Sequence, residues 1–218
     1  GRALNASITT PVGAACCLIL PLGILDSNYH SHDRRGDKIP YDYAYNILQT
    51  CEPNAILFTN GDNDTYPLWF LQHTEGVRQD VRIVNLSLIK TAWYIEQLRD
   101  LEPSIPIGLT DEEIVGKMVA YPWTDPKDIE IAGLKITGTD IPTAHYRSGS
   151  GMVPVIEAHT VMIWWIIDKI RWTRPIYFAV TVPSSNQAGL RPYLSMEGMA
   201  YRIVPEHGPG QFDPARTR

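Results

Sequence analysis

The sequence predicts an α/β protein: a Rossmann-like layered domain with a mostly parallel sheet, preceded by an apolar, transmembrane-like segment. Three observations predict it. Ala55–Thr59 (AILFT) is an apolar run that stops at Asn60-Gly61, and a helical pattern follows from Thr65. Val81–Leu88 (VRIVNLSL) repeats this as a β-branched run followed by a helix from Thr91. Ile176–Val182 (IYFAVTV) is a third buried run. Strands joined by helices are parallel neighbours, so strands are expected at about 55–60, 82–88 and 176–182 with helices on both faces.

In chain order, Ala3–Leu25 comes first and carries no charge over 23 positions, about the length that crosses a bilayer. Asn5, Ser7, Thr9 and Thr10 are polar, and Pro11 and Pro21 interrupt the run. Composition therefore leaves two readings open, a membrane helix or a buried or partner-covered segment. The lack of an initiator Met leads us to expect a fragment or a processed chain, with residues 1–25 ending its last transmembrane helix. Residues 26–39 read as a polar connector. His30, His32 and Asp33 lie in it, but without a further clustered ligand they suit a solvated loop better than a metal site.

Residues 40–205 form the expected α/β domain. Pro40 opens a helix through Ala44, Ile47 and Leu48, and Gly76 suits a C-cap for the helix after Thr65. Residues 103–154 read as an irregular insertion, because its prolines recur too often for a long helix. Within it, Thr110 caps a short acidic-started helix to about Ala120, Ile129–Thr137 suits a hairpin around Ala132-Gly133, and Arg147–Gly151 suits a linker or lid. Glu157–Trp172 is the strongest helix and is expected in the core. Leu190–Leu194 reads as turns, Met199–Val204 as an edge strand, and 206–218 as a disordered or docking tail.

Function classes narrow by exclusion. A net charge of -5 is spread over the chain with no basic block, which argues against nucleic acid as a partner. Three cysteines give neither a disulfide framework nor metal spacing, and GxSxG and HExxH are absent. His73, His145 and His159 stand alone and are expected packed or solvated.

The candidate site is the loop after the first strand. Ligands of open α/β sheets collect at the carboxyl ends of the strands, where this chain places Asn60, Asp62, Asn63, Asp64 and Thr65, joined by Asn85 and Ser87 from the second strand. Asp62-Asn63-Asp64 is a DxD pattern, and hard oxygen ligands two residues apart suit Mg²⁺ or Mn²⁺ against a nucleotide sugar. The same residues are common turn and N-cap formers, so a structural cap by Asp64 or Thr65 stands beside the metal reading.

The blocks His32-Asp33-Arg34, Tyr41–Asn46, Asn54–Trp69, Val84–Leu88 with Trp93–Ile95, and Arg174–Ala179 with Glu197–Tyr201 resemble the carboxy-terminal part of the bacterial DUF2723 membrane proteins. These are protein O-mannosyltransferase-like transmembrane glycosyltransferases, frequent in Bacteroidetes. The resemblance implies the soluble, extracytoplasmic domain of a multi-spanning enzyme, partnered by the membrane, the rest of that protein and a protein or glycan acceptor. It implies that the catalytic acids lie elsewhere, so the isolated chain is expected to be inactive. The alternatives are an autonomous DxD metal-dependent sugar transferase and an extracellular assembly subunit that self-associates through its apolar segment.

Overall fold

The computed structural model describes residues 6–149 and 151–205, with side chains from residue 13 onward. The tail expected at 206–218 lies outside the described residues, as do residues 1–5. The chain forms two compact units that divide between Ile39 and Pro40.

In the first unit, α1 (Ala6–His32) runs without a break through both proline positions and past Leu25. The boundary expected at residue 25 is therefore not a structural break. Asn28 Nδ2 donates to the Ile24 carbonyl at 2.8 Å and Ser31 Oγ to the Asn28 carbonyl at 2.9 Å, which carries the helix into polar sequence. Asp33 ends it, accepting the Arg35 N–H at 3.1 Å and the Arg35 guanidinium at 2.7 Å. Among the described residues no helix is long and apolar enough to cross a membrane, so the expected transmembrane span is not borne out over them. Positions 6–12 lie outside the described side chains.

The second unit begins with α2 (Ile39–Thr50), which buries Ala44, Ile47 and Leu48 as their spacing predicts. It leads into β1 (Ile56–Thr59), α3 (Asp62–His73) and β2 (Arg82–Asn85). Gly76, at φ 69, lets the Val77 N–H reach the Leu71 carbonyl at 3.0 Å and close α3. β2 is shorter than predicted because Asn85 Oδ1 accepts the N–H groups of Ser87 (2.8 Å) and Leu88 (3.0 Å) and turns the chain out of the sheet. A 3-10 turn over Leu88–Lys90 follows, then α4 (Ala92–Asp100).

The insertion is more ordered than its prolines suggest. α5 (Asp111–Lys117) starts from a reciprocal box between Thr110 and Glu113. It stops at Met118, short of Ala120, and leads to β3 (Tyr121–Pro122). β4 (Ile129–Ile131) and β5 (Leu134–Ile136) form the predicted hairpin, with Ala132 at φ 47 and Gly133 at φ 89. The segment read as a linker or lid is instead the tip of a hairpin between β6 (Ala144–Ser148) and β7 (Gly151–Ile156), with Ser150 outside the described residues. Pro154 lies inside β7, where its carbonyl accepts the Trp123 N–H at 2.8 Å. Its sequence signal marked a break that pairing on both sides overrides.

α6 (Ala158–Ile170) is a core helix, as predicted, and Arg171 at φ 43 ends it. Three indole N–H groups at and beyond α6 bind carbonyls: Trp164 to Ala188 at 2.9 Å, Trp165 to Ile107 at 2.8 Å and Trp172 to Ala132 at 2.9 Å. The last two tie the insertion to the core. The chain continues through β8 (Ile176–Ala179), β9 (Leu194–Glu197) and β10 (Ala200–Ile203).

The main sheet has the order β2-β1-β8-β10-β9. β2, β1 and β8 are parallel, whereas β10 and β9 are antiparallel additions, so the sheet is mixed where a mostly parallel one was expected. The strand expected at the edge, β10, is internal; the edge is β9, which shares only Leu194 with the segment read as turns and otherwise covers residues for which no element was expected. Gly198, at φ 54, opens the two-residue turn that folds β9 back on β10. Phe58 and Phe178 stack at 5.1 Å across the parallel strands.

At the opposite edge, side chains occupy most of the outward backbone groups of β2. The Tyr94 hydroxyl accepts the Asn85 N–H at 3.0 Å and donates to the Ile83 carbonyl at 3.4 Å, and Gln72 Nε2 donates to the Val81 carbonyl at 2.7 Å. Such capping blunts an edge that would otherwise pair with another chain. Tyr94→Phe strands the buried Asn85 N–H, so a loss of about 1–2 kcal/mol is expected in urea denaturation. An unchanged midpoint would show that the hydroxyl does not hold the edge.

Candidate functional site

The three parallel strands end on the same side, and the polar residues predicted there do come together. They divide into a buried scaffold and an exposed rim. Asp64 and Thr65 of α3 and Asn85 of β2 are buried, whereas Asp62, Asn63 and Ser87 are exposed and Asn60 lies between.

The scaffold is built from side chain to backbone. Asp64, in the first turn of α3, accepts the N–H groups of Asn60 (2.8 Å) and Gly61 (2.9 Å) and the Thr181 hydroxyl (2.6 Å). A carboxylate at a helix N-terminus is favoured by the exposed N–H groups and the helix dipole. Gly61 has no side chain to return a cap, so the side-chain acceptor at this helix start is Asp64. Thr65 Oγ1 lies 2.7 Å from Thr59 Oγ1 and accepts Asn85 Nδ2 at 2.9 Å, which ties β1, α3 and β2 at one point. Asn60 is held at its N–H by Asp64, at its carbonyl by the Ser87 hydroxyl (3.0 Å) and at its side-chain oxygen by Asn186 (2.9 Å).

Thr181 and Asn186, on the loop after β8, were not among the predicted site residues. A signal was available: Ser184-Ser185-Asn186 follows the third strand as the DxD loop follows the first. Tyr43 of α2 also arrives here without a signal. Its hydroxyl is buried beside Thr181 and Asp64 without a well-formed hydrogen bond, and burial first, then Asp64, raises its pKa.

For the metal reading, geometry separates the two aspartates. Both Asp64 oxygens are engaged by protein donors, leaving Asp62 as the exposed carboxylate of the pair. Among the described residues no group of three His, Cys, Asp or Glu side chains is arranged to hold a metal. The rim offers the Asp62 carboxylate and the Asn63 carboxamide to a ligand, a pair suited to hydrogen-bonding a polar molecule.

A second polar cluster lies beyond β2. Glu157, preceding α6, accepts Lys90 Nζ at 3.2 Å and the Tyr146 hydroxyl at 3.1 Å. His159 is buried; its Nδ1 stands 3.5 Å from Glu157 Oε2, too poorly aligned for a hydrogen bond. Burial first, then Lys90, lowers the His159 pKa to about 4, against an attraction from Glu157. A histidine neutral when folded but charged when unfolded loses stability as pH falls from its unfolded value near 6.5 toward 4. Stability measured between these limits should therefore decline more steeply in the wild-type chain than in His159→Gln. Parallel curves would refute this assignment.

The family model described as TMEM260-associated domain 2 matches residues 40–127 and 152–217. The chain is also 29% identical over 79 residues to "Protein O-mannosyl-transferase TMEM260" of Mus musculus. That match covers 36% of this chain and 11% of the mouse protein. No solved structure matches the chain.

Proposed function

From the premise that this chain belongs to the TMEM260-associated domain 2 family, we propose that it is a non-catalytic, extracytoplasmic domain of an O-mannosyltransferase-like membrane glycosyltransferase. It follows the last membrane-spanning segment and binds acceptor or partner through the loop after β1. The FTNGDNDT block, Phe58–Thr65, supports a closer affinity to the DUF2723 proteins. The observation that carries the reading is the division at the strand ends: a buried scaffold around Asp64 presents Asp62 and Asn63 to solvent, and neither of these two side chains holds the turn.

The test uses the parent enzyme and the isolated chain together. The isolated chain is expected to transfer no sugar from a lipid-linked donor. In the parent enzyme, Asp62→Ala with Asn63→Ala is expected to lower acceptor glycosylation about fivefold or more, roughly 1 kcal/mol, with an unchanged thermal midpoint. Transfer by the isolated chain, or full activity of the double variant, would overturn the reading. The metal-dependent alternative requires Mn²⁺ binding by the isolated chain that Asp62→Ala abolishes.

A second reading rests on α1, where Leu18, Ile19, Leu20, Leu22, Ile24 and Leu25 are all exposed. Apolar surface of this kind is normally covered. In the membrane reading lipid covers it; in an extracellular assembly a second copy does. Lipid-free oligomers from the source cells would favour the assembly.

A further inference from the structure

We infer that the groove beside β9 is a binding site for an extended polypeptide, which adds to the sheet as a further strand. The inference stands apart from the strand-end reading and rests on different residues.

The two edges of the main sheet are treated differently. Along β2, side chains from α3 and α4 occupy outward-facing backbone groups, as described above. Along β9 the pairing alternates: Glu197 and Ala200 close the two-residue turn, and the Val204 N–H binds the Tyr193 carbonyl at 2.9 Å. Odd-numbered residues of this strand therefore face β10, and the backbone groups of Leu194 and Met196 point away from it. The Leu194 N–H is used by the Arg191 carbonyl. The Met196 N–H and carbonyl have no hydrogen-bond partner among the described residues.

A groove of about 1120 Å³ adjoins these groups, somewhat more than a single small molecule fills. Leu194 and Met196 line it from alternate positions of β9, and Tyr201, cross-strand from Met196, lines it from β10. Val180, which is 37% exposed, and Val182 add apolar surface. Asp140 and Arg191 also line it, and neither has an ion-pair partner among the described residues.

A polypeptide meets each of these features at once. Its main chain supplies the donor and acceptor that Met196 lacks, and alternate side chains turn toward the apolar lining. Opposite charges on the groove suit a segment carrying both a basic and an acidic side chain. A free sugar or a lipid tail meets only part of this set.

The test presents the full 218-residue chain, in detergent micelles, with an array of nonapeptides that alternate Val or Leu with Lys, Glu, Ser or Thr. Peptides should be retained, and amide exchange at Met196 should slow when they bind. Val180→Asp, compared at a thermal midpoint matching that of the wild type, should weaken binding about tenfold or more, and Val180→Ser should weaken it less. Arg191→Glu should shift the preference among retained peptides from acidic toward basic residues. No retention at about 1 mM peptide, retention indifferent to Val180→Asp, or an unchanged Met196 exchange rate would each overturn the proposal. Asp62→Ala with Asn63→Ala should leave peptide binding unaltered, so failure here leaves the strand-end reading standing.

Discussion

Arg78→Ala should destabilise the second unit by roughly 3 kcal/mol, because one guanidinium serves three carbonyls and a carboxylate at once. Nη1 donates to the carbonyls of Leu48 (2.7 Å) and Cys51 (2.9 Å), and Nη2 to that of Glu52 (3.0 Å). These carbonyls lie at and beyond the end of α2, where no helical N–H follows to accept from. Asp80 holds the guanidinium in place through Nε (2.8 Å) and Nη2 (2.9 Å), and itself accepts the Asn54 N–H at 2.9 Å. Arg78→Lys should recover only part of the loss, because an ammonium cannot present a planar fork to several fixed acceptors. The hydrogen bond from Arg78, then that from Asn54, holds the Asp80 pKa down at about 2. A carboxylate depressed on folding contributes stability above its unfolded pKa near 4 and loses it as pH falls through the folded value. Acid titration should accordingly show a weaker dependence between pH 4 and 2 in Arg78→Ala, where only the Asn54 N–H remains to depress Asp80. Equal urea midpoints for the wild type and Arg78→Ala would sink the assignment.

The second large effect separates the two aspartates of the DxD pattern. Asp64→Ala removes the acceptor for two backbone N–H groups and the Thr181 hydroxyl, and should cost roughly 3 kcal/mol. Asp62→Ala removes an exposed carboxylate and should stay within about 0.5 kcal/mol. Thermal and urea melts of the two variants decide between a cap and a ligand pair. A stability loss confined to Asp64→Ala supports the cap. Near-neutral melts for both, with Mn²⁺ raising the midpoint of the wild type alone, would favour the metal site.

The three parallel strands and the helices between them were legible because each rests on local signals. Apolar runs of β-branched residues end in Asn or Gly, and helical spacing follows, as at Ala55–Asn60 and Val81–Asn85. The Thr110 cap, the Ala132-Gly133 turn and the burial of the Glu157–Trp172 helix belong to the same class. In each, the residues that set the structure lie within one turn of those that show it.

What the sequence alone could not determine involves partners far away in the chain. Leu194–Glu197 contains Ser, Met and Glu and has no strand pattern of its own. It is a strand because β10 pairs with it, and β10 is internal because β8 lies on its other side. The candidate site divides the same way. Local spacing determined that Asp62, Asn63 and Asp64 stand at a strand end, with Asn85 and Ser87 beside them. Only tertiary structure decided that Asp64 is consumed as a scaffold, because Thr181 lies 117 residues away and Asn186 reaches Asn60 across 126. A carboxylate reads the same in sequence whether its lone pairs face water or three protein donors, and folding alone makes that difference.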